Sequence, residues 1–278
     1  MSHVFGWSTL TLDDIDGHLQ IGGPCVYGGA ALNGLSARFG LIYKQAINMA
    51  SCDKNHLPNL LQNHAIVFSI PQSVRFEITQ GEGHRIVRLT SNSFRIDGEA
   101  ADTFNEYLNT SVIILSPVIG EFGRDLYFAV SHAACETVFV DPFNNDDGLL
   151  SPWDMEVLMF IVQDLVRTKN VFLKLSEPEY RAVIEYLPSP LTNGKLKLLV
   201  TKGASGADLI SGDHTIHASG IQVNAKAELG AGDIFMYSFA GLYALGQPVD
   251  TCLLEANRIA AHAVTVPKWE ELLHVVST

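Results

Sequence analysis

Short apolar or β-branched runs punctuate the chain at residues 112–115, 137–140, 170–175 and 196–201, and stretches of helix length separate them. That alternation predicts βαβ units, and so a mainly parallel sheet with helices on its faces. Between Pro152 and Arg167, the apolar residues Trp153, Val157, Phe160, Ile161 and Leu165 fall on one helical face, which predicts a helix packed on that sheet. Residues 74–79 and 85–90 follow a different rhythm: apolar and polar positions alternate one by one, with Gly81-Glu82-Gly83 between them. A period of two predicts a half-exposed hairpin. Together with an extended stretch over residues 18–26 it would form a small sheet beside the main body, either a lid or an ordinary edge hairpin.

Helical periodicity returns after Gly230-Ala231-Gly232-Asp233. Phe235, Phe239 and Leu242 recur at i, i+4 and i+7, and Gly246-Gln247-Pro248 supplies a stop. A helix is therefore expected to begin at or near Asp233, with two glycines ahead of it that let the backbone turn tightly and expose its N–H groups. Such amides, at the positive end of a helix dipole, seat an anion such as phosphate. The competing reading is that Asp233 simply caps the helix. A second glycine-rich turn, Gly28-Gly29, precedes the helical pattern Ala30-Ala31-Leu32-Asn33-Gly34-Leu35, with Gly40 as its expected C-cap. Asn33 can donate to and accept from hydroxyl groups, which suits a polyol or sugar.

Composition narrows the partner. The 278 residues are 47% hydrophobic and 17% charged, and 18 Lys+Arg against 30 Asp+Glu leave a net charge of −12. An acidic chain lacks the clustered positive charge of a sequence-independent nucleic-acid surface, so a small molecule is the expected partner. The four cysteines, Cys25, Cys52, Cys135 and Cys252, form no C-x-x-C pair and read as reduced core thiols. No basic and apolar leader opens the chain and no apolar run reaches membrane-spanning length, which predicts a cytoplasmic protein not associated with membranes. A P-loop kinase is disfavoured because no G-x-x-x-x-G-K-[ST] occurs, and a dinucleotide fold because no G-x-G-x-x-G follows an early strand. His214 and His217 have no third ligand in view, and the acidic run from Asp141 to Asp147 does not meet the calcium-loop spacing.

Three elements in order, GGAALN near the N-terminus, VTKGASGA from Val200 to Ala207, and GAGDIF from Gly230, resemble the ribokinase-like or PfkB carbohydrate kinase family. The resemblance spans the whole chain. It implies one three-layer α/β/α domain over residues 1–278 with a mainly parallel central sheet, and a small β-sheet lid from segments near 16–27 and 72–92. It implies transfer of the γ-phosphate of ATP, with Mg2+, to a hydroxyl of a sugar, inositol or nucleoside. Asp233 then resembles the catalytic base, and the amides of Gly230, Ala231 and Gly232 resemble the anion hole. Gly29, Asn33 and Asp13 are similar to acceptor-binding positions, although the adjacent Asp14 leaves the last open by one. Thr201, Gly203 and Gly206 are similar to the nucleotide-binding loop, and Asn257 to a residue flanking the nucleotide. Glu179, in Ser176-Glu177-Pro178-Glu179, stands where the family often has Asn-x-x-Glu and would hold Mg2+ through water; Ser176 departs from that pattern. Ala227-Glu228-Leu229 replaces the family's common Asp-Thr-Thr, so activation by potassium is not implied. Asp141-Pro142-Phe143-Asn144 is similar to the family's Asp-Pro-Asn segment, without its following Arg. A homodimer through the lid is a further expectation, and the rival function is a catalytically silent sugar- or nucleotide-binding sensor or scaffold.

Overall fold

The computed structural model describes residues 3–35, 39–46, 65–70, 74–81, 84–91, 112–118, 122–142, 152–187 and 194–266. Cys52 and residues 143–147 of the acidic run lie outside them. Nine of the described strands form one sheet: β1 (Val4–Thr9), β4 (Phe39–Ala46), β5 (Ala65–Ile70), β8 (Val112–Ser116), β9 (Thr137–Val140), β10 (Asn170–Ser176), β11 (Leu196–Thr201), β12 (Gly206–Ser211) and β13 (His214–Ser219). Their order is β13-β12-β11-β10-β9-β8-β1-β4-β5, parallel throughout except for the antiparallel β11-β12-β13 end. The four apolar runs read from the sequence are β8, β9, β10 and β11.

Side chains alternate across this sheet because successive Cβ atoms point to opposite faces. On one face, Ile114, Phe139, Phe172 and Leu199 meet α1 (Pro24–Gly34), α5 (Ala231–Ala244) and α6 (Val249–Ala263). Phe139 and Phe172 stack at 4.5 Å between ring centroids, and Phe239 of α5 tilts onto both. On the other face, Ile113, Leu115, Val138, Val140, Leu173 and Leu198 meet α2 (Arg124–His132), α3 (Pro152–Phe160) and α4 (Glu177–Val183). Three layers result, α/β/α. The helix expected over 152–167 is present, but widens into a π turn at Ile161–Leu165 before its last residues, Val166–Thr168.

A second sheet of four strands has the order β3-β2-β6-β7, from β2 (Thr11–Ile15), β3 (His18–Gly22), β6 (Val74–Gly81) and β7 (His84–Ser91). The predicted hairpin is β6-β7, with Val74, Phe76 and Ile78 buried and Arg75, Glu77 and Thr79 exposed. The extended stretch expected over 18–26 ends at Gly22, because Pro24 opens α1; the partner hairpin therefore comes from residues 11–22. The apolar face of this sheet packs on Val118 and on Leu229, the residue just before Gly230. Among the described residues no helix is long and apolar enough to cross a membrane, and Cys25, Cys135 and Cys252 are buried free thiols.

Candidate active site

Parallel strands β8 to β11 end along one edge, where a doubly wound sheet presents its binding crevice. Asp141 follows β9 there, Lys174 and Ser176 stand at the end of β10, and Thr201 closes β11. Helix α5 starts beside them. Its N-cap is Gly230, in the left-handed region at φ 78° and ψ 1°. A Cβ at Gly230 would overlap the ring of Tyr27, so both the backbone and its neighbour require glycine. The Ala231 N–H donates to the Glu228 carbonyl at 3.2 Å, and Gly232 and Asp233 follow it in the first turn of the helix. The helix thus begins two residues before Asp233, which sits half-buried at its third position; Gly230, not Asp233, is the N-cap.

Beneath this turn lies a buried ion pair. Lys174 Nζ is 2.9 Å from Asp141 Oδ2, with side chains only 12% and 9% exposed. Lys174 Nζ is also 3.2 Å from where a Cβ on Gly232 would stand, so the ammonium rests against the start of α5. Burial alone would lower the Lys174 pKa; the carboxylates of Asp141, Glu179 and Asp233 reverse that and hold it above the usual lysine range. Burial raises the Asp141 carboxyl to about 6, opposed by Lys174 and assisted by Glu179. Asp141 Oδ1 is buried with no hydrogen-bond partner. Glu179 is buried at the start of α4, where its Oε2 accepts from the Ser176 N–H at 2.6 Å while Ser176 Oγ accepts from the Glu179 N–H at 3.4 Å. Ser176-x-x-Glu179 is a capping box, which gives the departure from Asn a structural use. Among the described residues no group of three or more His, Cys, Asp or Glu side chains is arranged to hold a metal directly. The donor set that remains, a buried Glu179 and the orphaned Asp141 Oδ1, suits hydrogen bonds to the waters of a hydrated Mg2+.

The acceptor side needs correction. Gly28-Gly29 does not precede a helix but lies inside α1, and Gly40 lies in β4 rather than capping α1, which ends at Leu35. The glycine pair ahead of the helix is Gly22-Gly23: Gly23 is the N-cap at φ 92° and Pro24 follows as N1. Inside α1, Gly28 has no room for a side chain because the Tyr237 ring of α5 occupies that place. Asn33 is exposed near the C-terminal end of α1, about 12 Å along the axis from Cys25 at 1.5 Å per residue, so the structure does not bring it to the cluster. Gly29 is buried within the helix. Asp13 behaves differently: it is 3% exposed, and its carboxylate lies so close over Gly22 that no Cβ fits there. Asp14 is half-exposed and pairs with Arg75 at 3.1 Å. The Cys25 thiol, raised far by burial and further by Asp233 and Asp13, feels both carboxylates and marks them as neighbours of the N-terminal turn of α1.

At the β11-β12 junction, Lys202 N–H donates to the Gly206 carbonyl at 2.8 Å, and Gly203 and Gly206 take φ 55° and 99°. Thr201 Oγ1 donates to the Leu175 carbonyl at 3.4 Å. Asn257 on α6 donates to the Ser219 carbonyl at 2.9 Å, and Ser219 pairs with Gly206, so the four expected nucleotide-loop residues gather around one turn. Sequence reading missed Tyr27 and Lys174. Gly23-Pro24 carried the signal for the first, as an N-cap and N1 pair. A lysine among the β-branched and apolar residues of β10 signalled the second.

No curated protein matches the chain in sequence. In fold it is similar to a ribokinase from Thermotoga maritima, with TM-score 0.71 and 15% identity over 100% of both chains. It is also similar to the nucleoside kinase of Burkholderia thailandensis in complex with inosine, with TM-score 0.74 and 14% identity over 96% of this chain and 94% of that one. A protein from E. coli solved with ATP and Mg2+ has TM-score 0.70 and 17% identity over 99% of each chain. The model described as pfkB family carbohydrate kinase matches residues 108–271, more than half of the chain and the part that carries Asp141, Lys174, the β11-β12 turn and the start of α5. The chain therefore belongs to the pfkB family of carbohydrate kinases, phosphotransferases that act on an alcohol group.

Proposed function

We propose that the chain transfers the γ-phosphate of ATP to a hydroxyl of a sugar, inositol or nucleoside, with Asp233 as the base and the Gly230–Gly232 turn as the seat of the migrating group. The observation that carries this reading is the left-handed Gly230 turn at the start of α5, with Asp233 half-buried one turn above it and Lys174 against Gly232. A carboxylate of ordinary pKa near 3.9 is a weak base toward an alcohol, so Asp233 orients the hydroxyl and takes its proton late. The acceptor oxygen bonds to the γ-phosphorus as the bond to the β–γ bridging oxygen breaks, and ADP leaves. Such loose phosphoryl transfer depends on positioning and on stabilising charge on the phosphoryl oxygens, which the amides of the turn supply.

Thr201, Gly203, Gly206 and Asn257 would line the nucleotide, and Asp13, facing the same helix start as Asp233, would grip acceptor hydroxyls. Glu179 would hold Mg2+ through water, and the ion when bound neutralises charge on the β- and γ-phosphates. The small sheet would act as a lid, since its apolar face already meets Leu229 beside the seat. The inosine complex of the Burkholderia relative supports a nucleoside within the acceptor range. ADP release from ATP and Mg2+ across sugars, inositols and nucleosides tests the proposal: one acceptor should stimulate it well above the rate in water. A flat panel, with binding but no turnover, would leave the silent sensor or scaffold in its place.

A further inference from the structure

Lys174 occupies a position that chain statistics disfavour: a cation in a strand whose neighbours Phe172, Leu173 and Leu175 are fully buried. Its ion pair with Asp141 offsets part of the loss of hydration, but a buried pair is seldom a net gain over apolar packing, so stability alone does not explain it. The surroundings do. Nζ rests against Gly232 in the first turn of α5, the turn proposed above to seat the migrating group, so the ammonium stands where charge on that group would develop. Asp141 takes one of the three ammonium donors at 2.9 Å, and the buried Asp141 Oδ1 is left with an unused acceptor.

The geometry points to Lys174 as a catalytic residue: its ammonium, aimed by Asp141, donates a hydrogen bond to a non-bridging oxygen of the phosphoryl group while that group passes from ATP to the acceptor. This deepens the kinase proposal and rests on it. Lys174 forms no covalent bond and keeps its proton; it stabilises charge that grows on the phosphoryl oxygens in transit. It acts beside the Gly230–Gly232 turn, so the group is held by both the side chain and the turn.

The test uses the full chain with ADP, Mg2+ and aluminium fluoride as a mimic of the group in flight. In titration calorimetry, fluoride should tighten ADP binding to the wild-type chain, and Lys174→Met should lose about 10²–10³-fold of that gain, the scale of one donor removed from a developing charge, while ADP alone binds unchanged. Because Lys174→Met strands Asp141, Lys174→Met/Asp141→Leu is tested beside it; replacing a buried pair by apolar residues preserves folding in other proteins. An undiminished fluoride gain in either folded variant overturns the inference. In a crystal of the wild-type complex, Nζ should stand about 2.7–3.2 Å from a fluoride, and Nζ bonded only to Asp141 would overturn it while leaving the kinase reading intact. Fluoride docked away from the Gly230–Gly232 turn, or no fluoride-dependent gain in the wild-type chain, overturns both.

Discussion

Gly230→Ala separates the demands placed on one backbone position. Gly230 has φ 78°, and an added Cβ would overlap Cγ, Cδ1 and Cδ2 of the Tyr27 ring. Gly246, past the end of α5, has nearly the same conformation at φ 83° with nothing within 4 Å of its virtual Cβ. Gly246→Ala should therefore lose only the left-handed penalty, about 1–2 kcal/mol. Gly230→Ala should add about 1–3 kcal/mol of overpacking, for a total of about 2–5 kcal/mol. At roughly 2–4 °C per kcal/mol, the two melting temperatures should fall by about 2–8 °C and about 4–20 °C. Urea denaturation of the two variants measures the difference directly, and on the proposed function ADP release should fall in Gly230→Ala alone, since the proposal assigns the phosphoryl group to that turn and not to Gly246. Tyr27→Ala made in the Gly230→Ala background should restore the overpacking part, giving a favourable coupling of about 1–3 kcal/mol in a double-mutant cycle. Equal losses in Gly230→Ala and Gly246→Ala, or no coupling to Tyr27, would refute the close approach of α1 and α5 on which the site depends.

Asp233→Asn should lower kcat by about 10²–10⁴, the range for loss of a general base, with the Kd for ATP unchanged; normal turnover would reduce Asp233 to a helix-start residue. The Asp141 carboxyl, raised to about 6, binds its proton more tightly in the folded chain than in the unfolded one, where it titrates near its ordinary value. Its contribution to stability is therefore present below about pH 4 and lost as pH rises through about 6. Asp141→Asn should remove that slope from the unfolding free energy over this window, and identical slopes in the two chains would contradict the burial assigned to Asp141. If the small sheet closes on substrate, amides of residues 74–81 should gain protection from hydrogen exchange when acceptor binds; the same exchange with and without acceptor would make it a fixed edge.

Local periodicity carried the architecture. Strands β8 to β11 and the β6-β7 hairpin were legible because each writes its pattern within a few residues, and Gly230-Ala231-Gly232-Asp233 because a turn and its helix are contiguous. The start of α1 was misplaced, since two glycine pairs stand six residues apart and only the contacts tell them apart. Gly22 yields to Asp13 and Gly23 to the Thr9 carbonyl, while Gly28 yields to Tyr237.

By itself the chain determined its layers, its family and the carboxylate at the start of α5, since these follow from short-range patterns and contiguous motifs. Only the tertiary structure decided that Tyr27 underlies Gly230, that Asp13 rather than Asp14 turns inward, that Asn33 stands apart, and that Lys174 faces Gly232. Those pairs join residues far apart along the chain. Their proximity is set by how α1, α5 and β10 pack on one another, which no local period encodes.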